Sequence, residues 1–189
     1  MAHRVCPWWL GYFLVNPLRG LIEKPAALLA PYVRPGMIVL EPGPGMGFFT
    51  LELARRVGPT GRVVAVDVQP RMIQGLQRRA AKAGLLDRID VRLATPNSLG
   101  IGDLSGADFA FACAVVHELP APEPFFAEVA KALKPNALLL LLEPKGHVKT
   151  AQFEEELRAA AQAGFTVAGQ PAVSRSLSAL LKRCNGAST

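Results

Sequence analysis

The chain has 189 residues, half of them hydrophobic, and carries a formal net charge of +6 at pH 7. This length predicts a single domain, residues 1–189, with a substantial core and little room for a separate substrate domain. Charged residues interrupt every apolar segment before it reaches the roughly 18 residues of a membrane span, so we expect no transmembrane helix. Lysine and arginine are scattered rather than clustered, which argues against a nucleic-acid partner.

The N-terminal residues and the cysteines bear on the compartment. The N-terminus has an arginine but no apolar core of roughly 7 to 15 residues before a cleavage site, so a signal peptide is not expected. The three cysteines, Cys6, Cys113 and Cys184, form neither a metal-ligand spacing nor a disulfide framework. We therefore expect a cytoplasmic protein with reduced thiols and no structural metal.

Residues 1–24 precede the predicted sheet and are rich in aromatic side chains. Four of them fall close together: Trp8, Trp9, Tyr12 and Phe13. Three interpretations stay open, since the aromatics can cover a sheet edge, form a lid with an apolar substrate pocket, or anchor the chain at a membrane surface. The second interpretation makes these four side chains candidate substrate contacts.

Short apolar runs then alternate with amphipathic segments, which predicts a parallel sheet covered by helices on both faces. Five runs of branched and aliphatic residues are the expected core strands: 37–40, 63–66, 89–93, 109–113 and 137–142. Between and after them, helical periodicity predicts one helix with the apolar stripe Phe49, Leu53 and Val57, and further helices over 70–83, 122–133 and 151–163.

The last part of the chain has a different pattern. Residues 165–169 and 173–181 predict two strands joined through Gln170 and Pro171, a hairpin that places an antiparallel strand at one edge of the sheet. A helix stays open for 173–181, because Leu177, Leu180 and Leu181 also fit a period of 3.6 residues.

The segment 39–49 combines a predicted buried strand, a loop with glycine at every second position, and the start of a helix. Gly43, Gly45 and Gly47 allow the backbone to approach a ligand where a side chain would collide. Glu41 stands at the end of the strand and is able to face the same ligand. The pattern is typical of a site for a nucleoside cofactor.

The spacing of these glycines separates two kinds of nucleoside cofactor. A dinucleotide-binding loop has the pattern Gly-x-Gly-x-x-Gly, and its third glycine falls here on Phe48. A phenylalanine obstructs the close helix packing that glycine permits. Asp67, at the end of the second predicted strand, is placed to accept hydrogen bonds from ribose hydroxyls, but both cofactor classes use an acid there.

At these residues the chain resembles the class I S-adenosylmethionine-dependent methyltransferases, particularly the small ones of the type that includes quinone-biosynthesis enzymes. The resemblance spans roughly residues 25–182. Its most specific part is the acidic-x-Gly-x-Gly-x-Gly core, and weaker parts support it: Val64 to Asp67, Ala107 to Phe111, Val116 to Leu119, and Leu133 to Pro135. The resemblance implies a Rossmann-like, doubly wound sheet of seven strands, mostly parallel, with an antiparallel C-terminal edge strand.

The resemblance also implies how S-adenosylmethionine is held as the cofactor. Glu41, Pro42 and the three glycines border its methionine part, while Asp67 holds the ribose and Val68 lies against adenine. Asn97 and Ser98 stand where many relatives have an acid that accepts from the adenine amino group, and an asparagine carbonyl accepts the same bond without charge. Cys113 is a candidate for the methionine site, although burial of a small residue explains it equally.

The chain departs from the family at one further turn. Asn136 and Ala137 replace the glycine pair that usually precedes the fifth strand. This replacement puts the geometry of the turn in question but not the cofactor site.

The implied reaction is an in-line attack on the sulfonium methyl group, in which the cofactor carries its own leaving group. A base is required only where the acceptor must lose a proton. His117 is the candidate base, since the predicted fourth strand delivers it to the carboxyl edge of the sheet, and Glu118 either orients it or acts alone. The alternative is that His117 caps a turn or packs without titrating.

Three further residues are candidates for contact with the methyl acceptor. Glu143 and His147 follow the fifth strand at the same edge, and Phe48 is either core or pocket wall. The sequence therefore predicts methyl transfer to a small, partly apolar molecule. An NAD(P)-dependent oxidoreductase and a non-catalytic, methyltransferase-like binding domain are the alternatives. The acceptor and the oligomeric state do not follow from the sequence.

Overall fold

The computed structural model describes residues 24–95 and 97–185. The four N-terminal aromatics, Trp8, Trp9, Tyr12 and Phe13, lie outside the described residues. The chain divides into two compact units, whose described parts are residues 24–100 and 101–185. That all 189 residues form one domain, with 25–182 as its core, stays a prediction.

The first unit contains three strands and three α-helices among its described residues. In chain order they are α1 (Pro25–Leu29), β1 (Ile38–Pro42), α2 (Thr50–Val57), β2 (Arg62–Asp67), α3 (Pro70–Lys82), a 3-10 turn (Leu86–Arg88) and β3 (Ile89–Leu93). The pairing is parallel both between β1 and β2 and between β2 and β3.

Burial explains why these segments form their elements. Val63, Val64 and Ala65 are fully buried in β2, as a parallel strand covered on both faces requires. Helix α2 buries Leu53 and Val57, while Glu52 and Arg56 form an ion pair of 2.8 Å on its other face. The expected amphipathic helix is therefore confirmed.

The second unit contains four strands and two α-helices among its described residues. They are β4 (Ala107–Cys113), a 3-10 turn (Val116–Glu118), α4 (Pro122–Ala132), β5 (Leu133–Pro144), α5 (Thr150–Gln162), β6 (Phe165–Gly169) and β7 (Ser176–Arg183). β4 and β5 pair in parallel. β7 runs antiparallel to both β5 and β6. Leu139, Leu140 and Leu141 of β5 are fully buried and form much of the core of this unit.

The described strands form one seven-stranded sheet in the order β3-β2-β1-β4-β5-β7-β6. The predicted fold class is confirmed, with a mostly parallel sheet and a C-terminal antiparallel hairpin. The helical alternative for 173–181 is wrong, because Leu180 pairs with Leu140 in the register of β7 with β5. The hairpin places β7 against β5 and leaves β6 at the edge.

Asn136, predicted to lie in a turn before the fifth strand, adopts a backbone conformation that favours glycine. Asn136 has a φ of 63°, a left-handed conformation that asparagine tolerates better than most residues. Its side-chain amide donates to Asn185 Oδ1 at 2.9 Å. Asn136 thus takes the place of a glycine within a strand that begins earlier than predicted, at Leu133. None of the helices formed by the described residues is long and apolar enough to span a membrane.

Candidate functional site

The loop after β1 is held in shape by its glycines. Gly43, Gly45 and Gly47 have φ values of 67°, 55° and 83°, which place all three in the left-handed region. The Gly43 N–H donates to the carbonyl of Val66 at 2.9 Å. The loop is therefore fixed beside the end of β2.

Helix α3 packs closely against one side of this loop. A Cβ added at Gly47 would collide with the side chain of Leu76, and one added at Gly75 would lie 2.9 Å from Met46 Cγ. Arg79 Nη1 donates to the Met46 carbonyl at 2.5 Å. The sequence analysis did not predict that Gly75, Leu76 and Arg79 contact the loop. The glycine inside an otherwise amphipathic helix was the pattern that could have indicated this contact.

The loop is open at Gly45. A Cβ added there would meet no atom of the described residues within 4 Å. Gly47 thus has no room for a side chain beside helix α3, whereas Gly45 has open space where a side chain would lie.

Asp67 connects the end of β2 to the loop. Its Oδ2 accepts the Gly45 N–H at 3.1 Å, and its Oδ1 accepts the Gln69 N–H at 2.8 Å. Burial raises the pKa of Asp67, while hydrogen bonds from the backbone of Gln69, Gly45 and Val68 lower it, and the net direction is upward. Each carboxylate oxygen has two lone pairs, so Asp67 retains acceptor capacity for ligand hydroxyls.

Glu41 is a buried acid whose hydrogen-bonding capacity is not satisfied. Its side chain is 3% exposed, and neither its Oε2 nor the buried Thr50 Oγ1 has a hydrogen-bond partner of normal geometry. Burial raises the pKa of Glu41 to about 8, Thr50 opposes this shift, and the charge of Asp67 adds to it. A buried carboxyl group with one oxygen unsatisfied by the described residues fits a cationic or hydrogen-donating ligand group.

Two apolar residues at strand ends are exposed: Val68, which follows Asp67, and Leu93, the last residue of β3. Val68 is 38% exposed and Leu93 is 57% exposed, which is unusual for residues at the ends of buried strands. The Ala94 N–H donates to the Asp67 carbonyl at 2.9 Å, so the segment after β3 lies beside the end of β2. These exposed surfaces suit the flat face of a base, and Leu93 was not predicted.

Asn97 and Ser98, the predicted adenine contacts, lie in an exposed turn after β3. Ser98 Oγ already accepts the Gly100 N–H at 3.0 Å, and Ser98 pairs with Thr95 through the backbone. Pro42 is buried at the end of β1. Phe48 is half-buried and meets Phe49 edge-on with ring centroids 4.9 Å apart.

In the second unit, His117 is held by Glu143. His117 Nδ1 lies 2.5 Å from Glu143 Oε2, and the other oxygen of Glu143 accepts the Val116 N–H at 2.9 Å. Glu143 is fully buried at the end of β5, while the His117 side chain is 15% exposed. Glu143, predicted as an acceptor contact, is therefore the residue that orients His117, a role that the sequence assigned to Glu118.

The surroundings of His117 favour its protonated form. Burial lowers the pKa of His117, but the hydrogen bond that His117 donates to Glu143 and the charges of Glu143, Glu118 and Glu156 raise it, and the net direction is upward. With Nδ1–H donating to Glu143, the neutral imidazole presents Nε2 as a proton acceptor.

Glu156 is a further acid near this pair. It lies on α5 and is 3% exposed, and neither of its carboxyl oxygens has a hydrogen-bond partner among residues 24–95 and 97–185. Burial raises the pKa of Glu156 to about 8, the charge of Glu143 also raises it, and His117 lowers it. Sequence reasoning missed Glu156 because it ends a run of three glutamates. The one sequence feature that indicates its burial is that it lies three residues after Phe153, on the same buried face of the helix.

The remaining predicted residues of this unit are more exposed. His147 is exposed, with its ring centroid 6.3 Å from that of His117, and Cys113 is half-buried at the end of β4. Within residues 24–95 and 97–185, no group of three or more His, Cys, Asp or Glu side chains is arranged to hold a metal ion. The chemistry of the second unit thus concentrates on His117 and its two buried acids.

A seven-stranded sheet of this order, with a loop of alternating glycines after β1 and an acid ending β2, defines the class I S-adenosylmethionine-dependent methyltransferases. The model of the methyltransferase domain family matches residues 40–141, and the chain belongs to this family. A solved SAM-dependent methyltransferase from Aquifex aeolicus is similar, with a TM-score of 0.81 and 26% identity, over 94% of this chain and 98% of that one.

Two curated relatives are similar over part of the chain. The ubiquinone/menaquinone biosynthesis C-methyltransferase of Hydrogenovibrio crunogenus is 29% identical, over 59% of this chain and 43% of the relative. The arsenite methyltransferase of Halobacterium salinarum is also 29% identical, over 66% of this chain and 30% of the relative. The chain therefore spans less than half the length of these curated relatives.

Proposed function

We propose that the protein transfers a methyl group from S-adenosylmethionine to a small, partly apolar molecule. The observation that carries this proposal is the combination of three residues: the buried Glu41, with an oxygen unsatisfied by the described residues, the open backbone at Gly45, and Asp67, which accepts the Gly45 N–H. When bound, S-adenosylmethionine supplies an activated methyl group with its own leaving group.

The residues around the loop suit the separate parts of this cofactor. Glu41 would pair with the amino group of the methionine part, and Gly43, Gly45 and Gly47 would border it. Asp67 would accept hydrogen bonds from the ribose hydroxyls. The exposed Val68 and Leu93 would lie against adenine, with Asn97 accepting from its amino group. This assignment gives Glu41 Oε2 a partner, which it lacks among the described residues.

The methyl acceptor is proposed to be a small molecule that His117 prepares for attack. The two curated relatives carry names that refer to quinone biosynthesis and to arsenite, which supports a small acceptor. His117 with its free Nε2 supports a role as a base for an acceptor that loses a proton. His147 and Phe48 are proposed acceptor contacts, and a cytoplasmic location stays a prediction.

A turnover assay tests this function. The protein is incubated with S-adenosylmethionine and a panel of phenols, thiols, quinone precursors and arsenite, and formation of S-adenosylhomocysteine is followed. We expect product with at least one acceptor and a large loss in His117→Gln, with Glu155→Gln, where the side chain is 68% exposed, as the control. Normal cofactor binding without product from any acceptor would favour the non-catalytic alternative.

A further inference from the structure

The second unit contains a cavity that has no role in the proposed cofactor site. Its volume is about 490 Å³, which is within the range of small-molecule sites, and residues 145–150 and Leu177 line it. The ring centroid of His147, one of the lining residues, lies 6.3 Å from that of His117. A small molecule in this cavity would therefore lie next to the candidate base.

The side chains around the cavity carry an excess of positive charge. Its lining includes Lys145, His147 and Lys149 but no acidic residue. Among residues 24–95 and 97–185, neither of these lysines forms an ion pair. Glu143, which lies nearby in sequence, is fully buried and already accepts hydrogen bonds from the Val116 N–H and His117. The positive charge of the cavity is therefore available to a ligand.

A common structural reason for lysines beside a helix does not apply here. Cations in the last turn of a helix interact favourably with its carboxyl end, whereas cations at its amino end are unfavourable. Lys149 is the N-cap residue of α5, Thr150 is the first residue of that helix, and the first turn contains no acid. The lysine at this position is therefore unfavourable by itself, and an anion in the cavity would offset the repulsion.

Backbone hydrogen bonds fix the loop that carries these side chains. The His147 and Val148 N–H groups both donate to the Pro144 carbonyl, at 3.0 and 2.9 Å. The Lys145 N–H donates to the Arg175 carbonyl at 3.0 Å, which places a further cationic residue beside the loop. The cavity is therefore shaped by the fold itself, with its charged groups on a loop that is held at both ends.

We propose that this cavity binds an acidic group of the methyl acceptor, so that the acceptor is a small organic acid with a carboxylate or phosphate group. Lys145 and Lys149 hold the anion through charge-assisted hydrogen bonds, and the Thr150 hydroxyl donates a further one. Val148 and Leu177 supply apolar surface for the body of the acceptor. This inference rests on the proposed function, because it names the class of acceptor for that same site.

An NMR titration of the full-length protein without cofactor tests the cavity, with the backbone amides of residues 145–150 as the signals. Benzoate and phenyl phosphate carry an acidic group on an apolar ring. Benzamide has the ring without the charge, and inorganic phosphate has the charge without the ring. We expect benzoate or phenyl phosphate to bind more tightly than both of these controls, and the tighter acid identifies the acidic group. If neither acid does so, the proposal is wrong.

Matched double variants test whether the two lysines hold the acid. In Lys145→Gln/Lys149→Gln the tighter acid should bind at least roughly tenfold more weakly, because two charge-assisted contacts are lost. Lys131→Gln/Lys182→Gln makes the same charge change at two exposed positions of the same unit and should bind the acid normally. Equal weakening in the two variants would indicate a general charge effect and contradict the proposal.

Kinetics separate this inference from the proposed function. For an acidic acceptor that is methylated, Lys145→Gln/Lys149→Gln should raise the acceptor KM with little change in kcat, because the lysines act on binding. An unchanged KM would contradict the inference and leave the proposed function intact. Because the NMR titration contains no cofactor, acid binding without any turnover would contradict the proposed function and leave the cavity as an acid-binding site.

Discussion

The Gly45 N–H donates a hydrogen bond of 3.1 Å to Asp67 Oδ2. This bond joins the glycine loop after β1 to the end of β2, so the acid that would hold the ribose also sets the conformation of the loop. Loss of the acid is therefore expected to affect both the ligand contact and the shape of the site.

Asp67→Asn is predicted to weaken cofactor binding strongly. The amide retains one acceptor oxygen but places an N–H₂ group against a backbone N–H, which loses a charge-assisted hydrogen bond of about 1.5 to 3 kcal/mol. This corresponds to roughly tenfold to hundredfold weaker binding of S-adenosylhomocysteine by calorimetry. Asp87→Asn, an equal charge change at an exposed position of the same unit, is the control. Equal affinity in the two variants would remove Asp67 from the site.

Gly45→Ala is predicted to lose cofactor binding while the protein stays folded. The added methyl group would meet no atom of the described residues within 4 Å. The backbone at position 45 has a φ of 55°, however, so the expected destabilisation is about 1 to 2 kcal/mol. Gly84→Ala has the same open surroundings and a φ of 65°, and is the matched control for backbone strain. Chemical denaturation and calorimetry of both variants check this. Normal binding by Gly45→Ala would show that no ligand approaches the loop there.

Cofactor binding is predicted to release a proton from Glu41 at neutral pH. Burial raises the pKa of Glu41 to about 8 in the free protein, so below that pH the carboxyl group holds its proton. A cationic amino group favours the ionised form, and binding therefore expels the proton. Affinity should rise with pH up to about 8 and then level off.

Calorimetry in buffers of different ionisation enthalpy measures this release. We expect close to one proton released by the unmodified protein at about pH 7 and none by Glu41→Gln. Asp87→Asn should behave like the unmodified protein. A binding heat that does not depend on the buffer would contradict the pairing of Glu41 with the cofactor.

Glu156→Gln is predicted to be more stable than the unmodified protein, by a margin that grows as the pH rises. The pKa of Glu156 is about 8 in the folded state against 4.5 for its ordinary value, so between these values the folded protein holds a proton that the unfolded chain has lost. The free energy of unfolding therefore falls as the pH rises through this window, and stays lowered above it. The glutamine variant does not undergo this loss.

Urea denaturation at about pH 5, 7 and 9 measures the difference between this variant and the unmodified protein. The advantage of Glu156→Gln should be small at the lowest pH and reach at most a few kcal/mol at the highest, since one pKa unit corresponds to about 1.4 kcal/mol. Glu155→Gln, at an exposed position, should show little pH-dependent gain. A difference that is constant with pH would mean that Glu156 titrates normally.

Local patterns were sufficient to predict most of the strands and helices and to locate the glycine loop and Asp67. Glycine spacing identified the loop at Gly43, Gly45 and Gly47, and Asp67 was evident because it ends a predicted buried strand. These features depend on residues that are close in sequence. Their physical basis, a backbone conformation that requires glycine and an acid at a strand end, is visible without tertiary structure.

The rest of the site depends on contacts between distant residues. Glu118 adjoins His117 in sequence, but the acid that accepts a hydrogen bond from the imidazole is Glu143, which lies on β5. Glu156 cannot be told from its exposed neighbours by residue type, because only the packing of α5 decides which glutamate is buried. Likewise, the contact of Gly75 with Met46 requires the position of a helix relative to a loop.

Calorimetric titration of the unmodified chain with S-adenosylmethionine and S-adenosylhomocysteine tests the central claim most directly. We predict one molar equivalent bound to a single site for each compound, with no binding of NAD or NADP. Absence of binding by both sulfur compounds, together with binding of a dinucleotide, would contradict the proposed function and favour the oxidoreductase alternative.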